Sequence, residues 1–108
     1  MREILHRLQA KVRERKYRLT SHAEREREAD QITVQEIEEA VLSEACDLIE
    51  DYPTDPRGHS CLILGWTHVG LPIHLVCGHL YEEEFIVITI YRPSPEQWID
   101  WRIRKEPG

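Results

Sequence analysis

Several features that would place a protein in a membrane, outside the cell or around a metal are missing from this chain of 108 residues. No apolar run approaches the roughly 18–20 residues of a membrane-spanning helix. The charged first segment, MREILHRLQAKVRERKY, lacks the continuous apolar stretch of a secretory signal. The three cysteines show no C-x-x-C spacing, which argues against a zinc ribbon or a thioredoxin-like site. We therefore expect a cytoplasmic protein with reduced thiols and no membrane association.

Basic residues are also in deficit, because 14 lysines and arginines stand against 20 acidic residues for a net charge of −6. This balance opposes strong non-specific binding to nucleic-acid phosphates. The charge is uneven, however, since residues 1–18 hold seven basic and two acidic residues while residues 82–84 read EEE. A local basic face is therefore expected. No glycine-rich phosphate loop, H-E-x-x-H or serine-centred elbow is present.

The first 44 residues show helical patterns. Residues 2–17 have apolar side chains at helical spacing and predict an amphipathic helix. Two further helices are expected in residues 20–44, because Ser21 precedes Glu24 by three residues and Thr33 precedes Glu36 in the same way. Both pairs match the capping box, in which a hydroxyl and a carboxylate satisfy free N–H groups at a helix start.

Strand patterns follow residue 45 in the segments DLIEDYP, SCLILGW, LPIHLVCGHL and FIVITIY, and their short connections predict antiparallel pairing. The segment RPSPEQWIDW predicts a short C-terminal helix after Pro95, with Trp98 and Trp101 packing back on the domain. We expect an α+β fold in which N-terminal helices pack on an antiparallel sheet of three to four strands. Residues 1–108 would form a single domain, with an N-terminal amphipathic helix in 1–19 and a core in 20–101.

The motifs SHAERERE, IEDYPTDPRGHSCLILGW, GLPIHLVC and VITIYRPSPEQW, taken together over roughly residues 20–101, resemble the bacterial family named domain of unknown function 4258 (DUF4258). The resemblance implies a distant similarity to RelE-like and BrnT-like ribonuclease toxins, with helices on an antiparallel sheet. It also implies a small antitoxin-like partner, in some systems a zinc-ribbon protein. Many relatives carry arginines four and eight residues after the motif histidine, where this chain has Glu26 and Asp30.

Strand alternation assigns faces to the side chains near His74. His74 and Val76 should lie on one face of their strand and Ile73, Leu75 and Cys77 on the other. In the last long strand we expect an Ile86, Ile88 and Ile90 face in the core, with Val87, Thr89 and Tyr91 opposite. The face of His74 would then carry polar groups.

A metal-independent ribonuclease needs a base for the ribose 2′-OH, an acid for the leaving oxygen and a cation for the phosphorane. The hypothesis assigns acid–base roles to His22 and His74, the cationic role to Arg57 or Arg92, and supporting hydrogen bonds to Thr89 and Tyr91. The structural alternatives are that His74 pairs with a neighbour on a half-buried sheet, that His22 is a surface residue of a helix start, and that Arg57 is an ordinary turn residue.

A hairpin that turns about Val69 would place Cys61 opposite Cys77 and His59 opposite His79. Two thiolates and two imidazoles could then hold tetrahedral Zn²⁺. The alternative is that the cysteines act as small apolar core residues while the histidines face water, and this is the interpretation that we favour. We accordingly expect no cofactor.

Two functions of different classes remain. The first is a toxin-like, metal-independent endoribonuclease of a toxin–antitoxin type system, with RNA as its substrate. The second is a non-catalytic interaction domain, or an inactive relative, that binds a small partner protein. The acidic charge and the tryptophans Trp98 and Trp101 suit the second function, because they could face a partner or a second copy in a homodimer.

Overall fold

The computed structural model describes residues 2–106. Helices and strands follow in the order α1 (Arg2–Arg13), β1 (Tyr17–Leu19), α2 (Ser21–Ala29), α3 (Val34–Leu42), β2 (Asp47–Tyr52), β3 (Ser60–Trp66), β4 (Pro72–Gly78), β5 (Phe85–Tyr91), β6 (Trp98–Ile99) and β7 (Ile103–Arg104). The first five strands form one sheet in the order β1-β5-β4-β3-β2, and β6 pairs with β7 in a separate hairpin. Within the described range, no helix has both the length and the apolar character to cross a bilayer.

The expected antiparallel sheet of three to four strands is wrong, because the sheet has five strands and is mixed. The added strand is β1, which lies parallel to β5 with Tyr17 opposite Phe85. The predicted N-terminal helix ends before it, since Arg15 adopts a φ of +57° and breaks the helical path. A strand of three residues is too short for a periodic signal, and only its pairing with a distant segment makes it extended.

The expected short C-terminal helix is also wrong, because β6 and β7 form a hairpin in its place. The segment makes one turn after Ser94, whose carbonyl accepts from the N–H groups of Gln97 and Trp98. Asp100 and Trp101 then adopt positive φ values of +51° and +63°, which reverse the chain and exclude a continuing helix.

The predicted register of β3 and β4 is confirmed, since Cys61 lies opposite Cys77 and Leu64 lies opposite His74. The side chains of Cys61 and Cys77 face the helices, where they join the buried core. The helix α1 contributes Ile4, Leu8 and Val12 to the same core. The face of β4 that carries His74 therefore lies on the opposite side of the sheet from α1.

The expected faces of β5 are confirmed for Thr89, Ile90 and Tyr91 but wrong for residues 86–88, because a β-bulge interrupts its pairing with β4. Thr89 pairs with Val76 and Val87 pairs with Cys77, so Ile88 between them has no partner on β4. The extra residue reverses the alternation, and Ile90 joins Val87 in the core while Ile88 packs over Gly78 on the other face.

Of the two predicted helix caps, one is confirmed and the other lies one residue earlier in the chain. Thr33 and Glu36 form the expected capping box at the start of α3. At α2 the cap is Thr20 rather than Ser21, and its hydroxyl accepts from the Ala23 N–H at 3.0 Å. The same hydroxyl donates to the Ile88 carbonyl at 3.0 Å, so this cap also fastens α2 to β5.

Carboxylates of α2 and its C-cap complete the edge of β5 beyond the short β1 strand. The Glu26 carboxylate accepts from the Ile90 N–H at 3.0 Å, and the Asp30 carboxylate accepts from the Arg92 N–H at 2.9 Å. The two carboxylates thus satisfy backbone donors where β5 runs beyond the end of β1, a stretch that would otherwise be open to pairing with another chain.

We predict that Gly65→Ala lowers the free energy of unfolding by about 2–3 kcal/mol, a typical cost of forced overpacking. A Cβ at Gly65 would overlap the backbone carbonyl of Ala40 in α3, which cannot rotate away. Gly78→Ala is the matched control, because its Cβ would meet mainly the end of the flexible Ile88 side chain and should cost less. Urea denaturation measures both, and equal losses would contradict this packing.

Candidate functional site

His74 is fully buried beneath the β6–β7 hairpin and uses both ring nitrogens. Its Nε2 lies 2.7 Å from the Trp101 carbonyl oxygen, and its Nδ1 lies 3.1 Å from the Tyr91 hydroxyl. A carbonyl can only accept, so Nε2–H donates to Trp101 and Nδ1 accepts from Tyr91. The imidazole thereby fastens the hairpin to the sheet.

Aromatic and ionic contacts also hold the β6–β7 hairpin against the sheet. The Trp98 ring meets the His74 ring edge-on at 4.4 Å between centroids, and the Arg104 guanidinium lies 4.7 Å from the Trp98 centroid. Arg104 also pairs with Glu50 at 3.0 Å. Burial lowers the pKa of His74 and raises the pKa of Tyr91 to about 12. Both groups are therefore neutral at physiological pH, and the structure favours a structural role for His74.

The other residues of the hypothesised catalytic set lie in different surroundings. His22 is exposed at the start of α2, with its Nε2 3.2 Å from Glu26. Arg92 donates from Nε to the Asp30 carbonyl at 3.0 Å and from Nη2 to the Gln31 carbonyl at 3.1 Å, so it holds the turn after α2. Thr89 is half-buried opposite Val76. Among the hydrogen bonds and ion pairs of residues 2–106, none joins His22 to His74.

A different group of polar residues meets at the end of the sheet where β3 begins and β4 ends. There, a cleft of about 200 Å³ is lined by Arg57, Gly58, His59, His79, Leu80, Tyr81 and Glu82. We call it the dyad cleft, because His59 Nε2 lies 2.5 Å from the Asp51 carboxylate on β2. Both side chains are about one quarter exposed, so the pair is accessible to a ligand.

Arg57 stands at the same cleft and is held by Asp55. Its Nη2 donates to the Asp55 carboxylate at 2.9 Å, and its backbone N–H donates to the other carboxylate oxygen at 2.9 Å. Ser60 donates to Asp55 at 2.7 Å. These hydrogen bonds, with those from Arg57 first, hold the pKa of Asp55 well below its usual range. The guanidinium is thus positioned while remaining largely exposed.

The opposite wall of the dyad cleft is the β4–β5 loop. His79 adopts a φ of +52° there, and its Nδ1 lies 3.6 Å from Glu82. Arg7 of α1 donates to the carbonyls of Leu80 and Tyr81 at 2.9 and 2.8 Å and to that of Glu82 at 3.3 Å. The wall is therefore held in one shape by a side chain from the start of the chain.

Lysines of the N-terminal region pair with the central glutamate of the acidic run in the same loop. Lys16 Nζ lies 2.9 Å from Glu83, and Lys11 Nζ lies 3.7 Å from the same carboxylate. The basic residues 1–18 and the EEE segment thus meet in space. Part of the expected basic face is used within the chain rather than offered to a partner.

The cysteines adopt the core arrangement rather than the zinc arrangement. Cys46, Cys61 and Cys77 are free and buried. Burial raises the pKa of Cys46 and of Cys61 to about 12 and raises that of Cys77 as well. Across residues 2–106, no group of three or more His, Cys, Asp or Glu side chains is placed to hold a metal. The set His59, Cys61, Cys77 and His79 therefore does not assemble as a zinc site.

Sequence reasoning selected Arg57 but missed the pairing of Asp51 with His59. The two residues are eight positions apart and meet because the loop between β2 and β3 folds back. Knowledge of the β2–β3 pairing would have indicated this contact, because the pairing sets Asp51 opposite Cys61, two residues from His59. That knowledge required a register for β2, which the sequence pattern did not supply.

Comparison with known proteins gives one match. The family model described as Domain of unknown function (DUF4258) matches residues 19–92. Neither a curated protein nor a solved structure matches the chain. The matched range contains the residues that line the dyad cleft, whereas α1 and the β6–β7 hairpin lie outside it.

We predict that His74→Gln lowers the free energy of unfolding by about 1–3 kcal/mol at pH 7.5, because a buried hydrogen-bonded group is lost. It should also flatten the pH dependence of stability. Burial lowers the pKa of His74 below its ordinary value of 6.5, so the unfolded chain takes up the proton first as the pH falls. This contribution to stability is complete above the ordinary value and declines below it.

Denaturation of the parent chain between pH 7.5 and pH 5 should therefore show a steeper decline than that of His74→Gln. The control is His6→Gln, whose parent histidine is exposed on α1. It should keep the parent's slope. Parallel pH curves for the parent and His74→Gln would contradict the assignment of a buried, neutral His74.

Proposed function

The chain belongs to the DUF4258 family, and we propose that it is a toxin-like, metal-independent endoribonuclease that cleaves RNA in the dyad cleft. The observation that carries the proposal is that Asp51 orients His59 in a cleft that His79 and Arg57 also line. The distant similarity to RelE-like and BrnT-like toxins that the family resemblance implies is our ground for RNA as the substrate. It also supports a small antitoxin-like partner that controls the activity.

Each group in the cleft has a role in this proposal. Donation from Nε2–H of His59 to Asp51 leaves Nδ1 to accept the proton of the ribose 2′-OH. The 2′-oxygen attacks phosphorus, and the bond from phosphorus to the 5′-oxygen breaks. Protonated His79 gives its proton to that leaving oxygen, and Arg57 stabilises the negative charge of the phosphorane. The products are a 2′,3′-cyclic phosphate and a 5′-hydroxyl.

The proposal moves the acid–base roles from His22 and His74 to His59 and His79. His74 is enclosed by the hairpin with both nitrogens bonded, so it cannot reach a substrate without loss of that packing. Arg57 keeps the cationic role, because it lines the dyad cleft and its side chain is largely exposed despite its pairing with Asp55. Arg92 does not line this cleft and holds the α2–α3 turn. Tyr91 then has a structural role, because its hydroxyl donates a hydrogen bond to His74.

A second candidate function is the non-catalytic interaction domain. The observation that favours it is the outer face of the hairpin, where Ile99 lies opposite Ile103 and both are exposed, at 46% and 62%. Such a pair of apolar side chains would suit a small partner protein or a second copy of the chain. This function requires no chemistry in the dyad cleft.

The test is cleavage of a single-stranded RNA by the purified chain in a chelating buffer with no added metal. We predict that the parent cleaves and that His59→Ala lowers the rate by about 100-fold or more, the usual contribution of a general base. Asp51→Asn should lower it less, because the imidazole remains but loses its orientation. His68→Gln, which removes a histidine on the β3–β4 turn with a largely exposed side chain, is the control and should match the parent.

Circular dichroism establishes that each variant is folded before rates are compared. Full activity of folded His59→Ala, with loss in His22→Gln, would contradict the dyad cleft and restore the set derived from the sequence. Absence of cleavage by the parent on several RNAs would contradict the ribonuclease proposal and favour the interaction domain.

A further inference from the structure

Tyr81 places an aromatic ring in solvent at the dyad cleft. The residue is 63% exposed, and its ring centroid lies 6.1 Å from that of His59, tilted by 51°. An exposed aromatic side chain on its own needs no explanation. Tyr81, however, lies beside the imidazole of His59 that is paired with Asp51, where its ring can contact a ligand of the dyad cleft.

The backbone that carries Tyr81 is fixed on both sides. Leu80 before it is 2% exposed and belongs to the core, while Arg7 binds the carbonyls of Leu80, Tyr81 and Glu82. The loop therefore cannot turn Tyr81 inward without breaking these contacts. The backbone that presents the ring is therefore preorganised, and only the Tyr81 side chain itself remains to be ordered when a ligand binds.

Stacking is the interaction that such a ring offers to a nucleic acid. A base presents a free face to an aromatic side chain only when it is unpaired and separated from its neighbours, whereas bases of a duplex cover one another. Stacking does not depend on charge, which suits a chain with a net charge of −6 and an arginine at the cleft that is already paired with Asp55. Affinity from stacking can replace the electrostatic affinity that this chain lacks.

We propose that Tyr81 is the base-stacking platform of the dyad cleft and that it restricts the ligand to single-stranded RNA. The inference rests on the proposed ribonuclease function, whose substrate class it narrows. The base next to the scissile phosphate lies on the Tyr81 ring, and this contact directs the phosphate towards His59 and Arg57. Tyr81 is in this account a specificity-determining residue and takes no part in proton transfer.

The test is fluorescence anisotropy with a labelled RNA that carries 2′-O-methyl groups throughout and therefore cannot be cleaved by attack of the 2′-oxygen. The parent should bind the single strand at least about tenfold more tightly than the same strand annealed to its complement. Tyr81→Ala should weaken binding of the single strand by about 5- to 150-fold, the range of one base–aromatic stack. Tyr81→Phe keeps the ring and should bind within about twofold of the parent.

The matched control is Val69→Ala, which truncates an exposed side chain on the β3–β4 turn and should bind like the parent. Binding should also depend weakly on salt, with a logarithmic slope of about −1 or shallower, because at most one arginine contacts phosphate. Equal binding by Tyr81→Ala and the parent, equal binding of single strand and duplex, or no binding by the parent would each overturn the proposal.

Anisotropy and cleavage together separate this inference from the proposed function. Binding that requires Tyr81, in a chain that does not cleave RNA, would support the platform and refute the ribonuclease. Cleavage that is lost in His59→Ala but unchanged in Tyr81→Ala on both single strands and duplexes would support the ribonuclease and refute the platform.

Discussion

The antiparallel register that sets Cys61 opposite Cys77 determines where reactive side chains can lie in this domain. Alternation along β3 and β4 directs both cysteines into the core beneath the helices, and the same alternation places His74 on the other face. The hairpin covers that face, so His74 becomes a buried hydrogen-bonding group. The histidines just beyond the paired strands, His59 and His79, are left at the end of the sheet, where both line one cleft.

The N-terminal helix α1 is amphipathic, and each of its two faces has a structural role. Its apolar side chains extend the core, and its basic side chains hold the acidic β4–β5 loop. Arg7 is the central contact, because one guanidinium binds three consecutive carbonyls of that loop. This helix lies outside the range matched by the family model, yet it shapes one wall of the dyad cleft. A segment outside the matched range therefore contributes to the shape of a cleft whose lining lies inside it.

Local and regular features of the fold could be predicted from the sequence. The turn about Val69 and the alternation beside it were sufficient for the β3–β4 register, and the spacing of Thr33 and Glu36 was sufficient for the start of α3. The failures all depend on distant contacts or unusual backbone. The strand β1 forms only against β5, and the bulge leaves Ile88 without a partner on β4. The hairpin turn needs a positive φ at Asp100, and the sequence has no glycine there that would have indicated it. The candidate site shows the same division. The loop pattern was sufficient to propose Arg57, whereas the contact of Asp51 with His59 depends on a β2 register that the pattern did not supply.

The central claim, that ligand chemistry belongs to the dyad cleft rather than to the face of His74, can be tested by NMR of the histidine rings. The ring signals would be followed during titration with a short single-stranded 2′-O-methyl RNA, after assignment by single histidine substitutions. We predict shifts of the His59 and His79 ring signals and an unchanged His74 ring. Shifts of the His74 and His22 rings with an unchanged His59 ring would contradict the account.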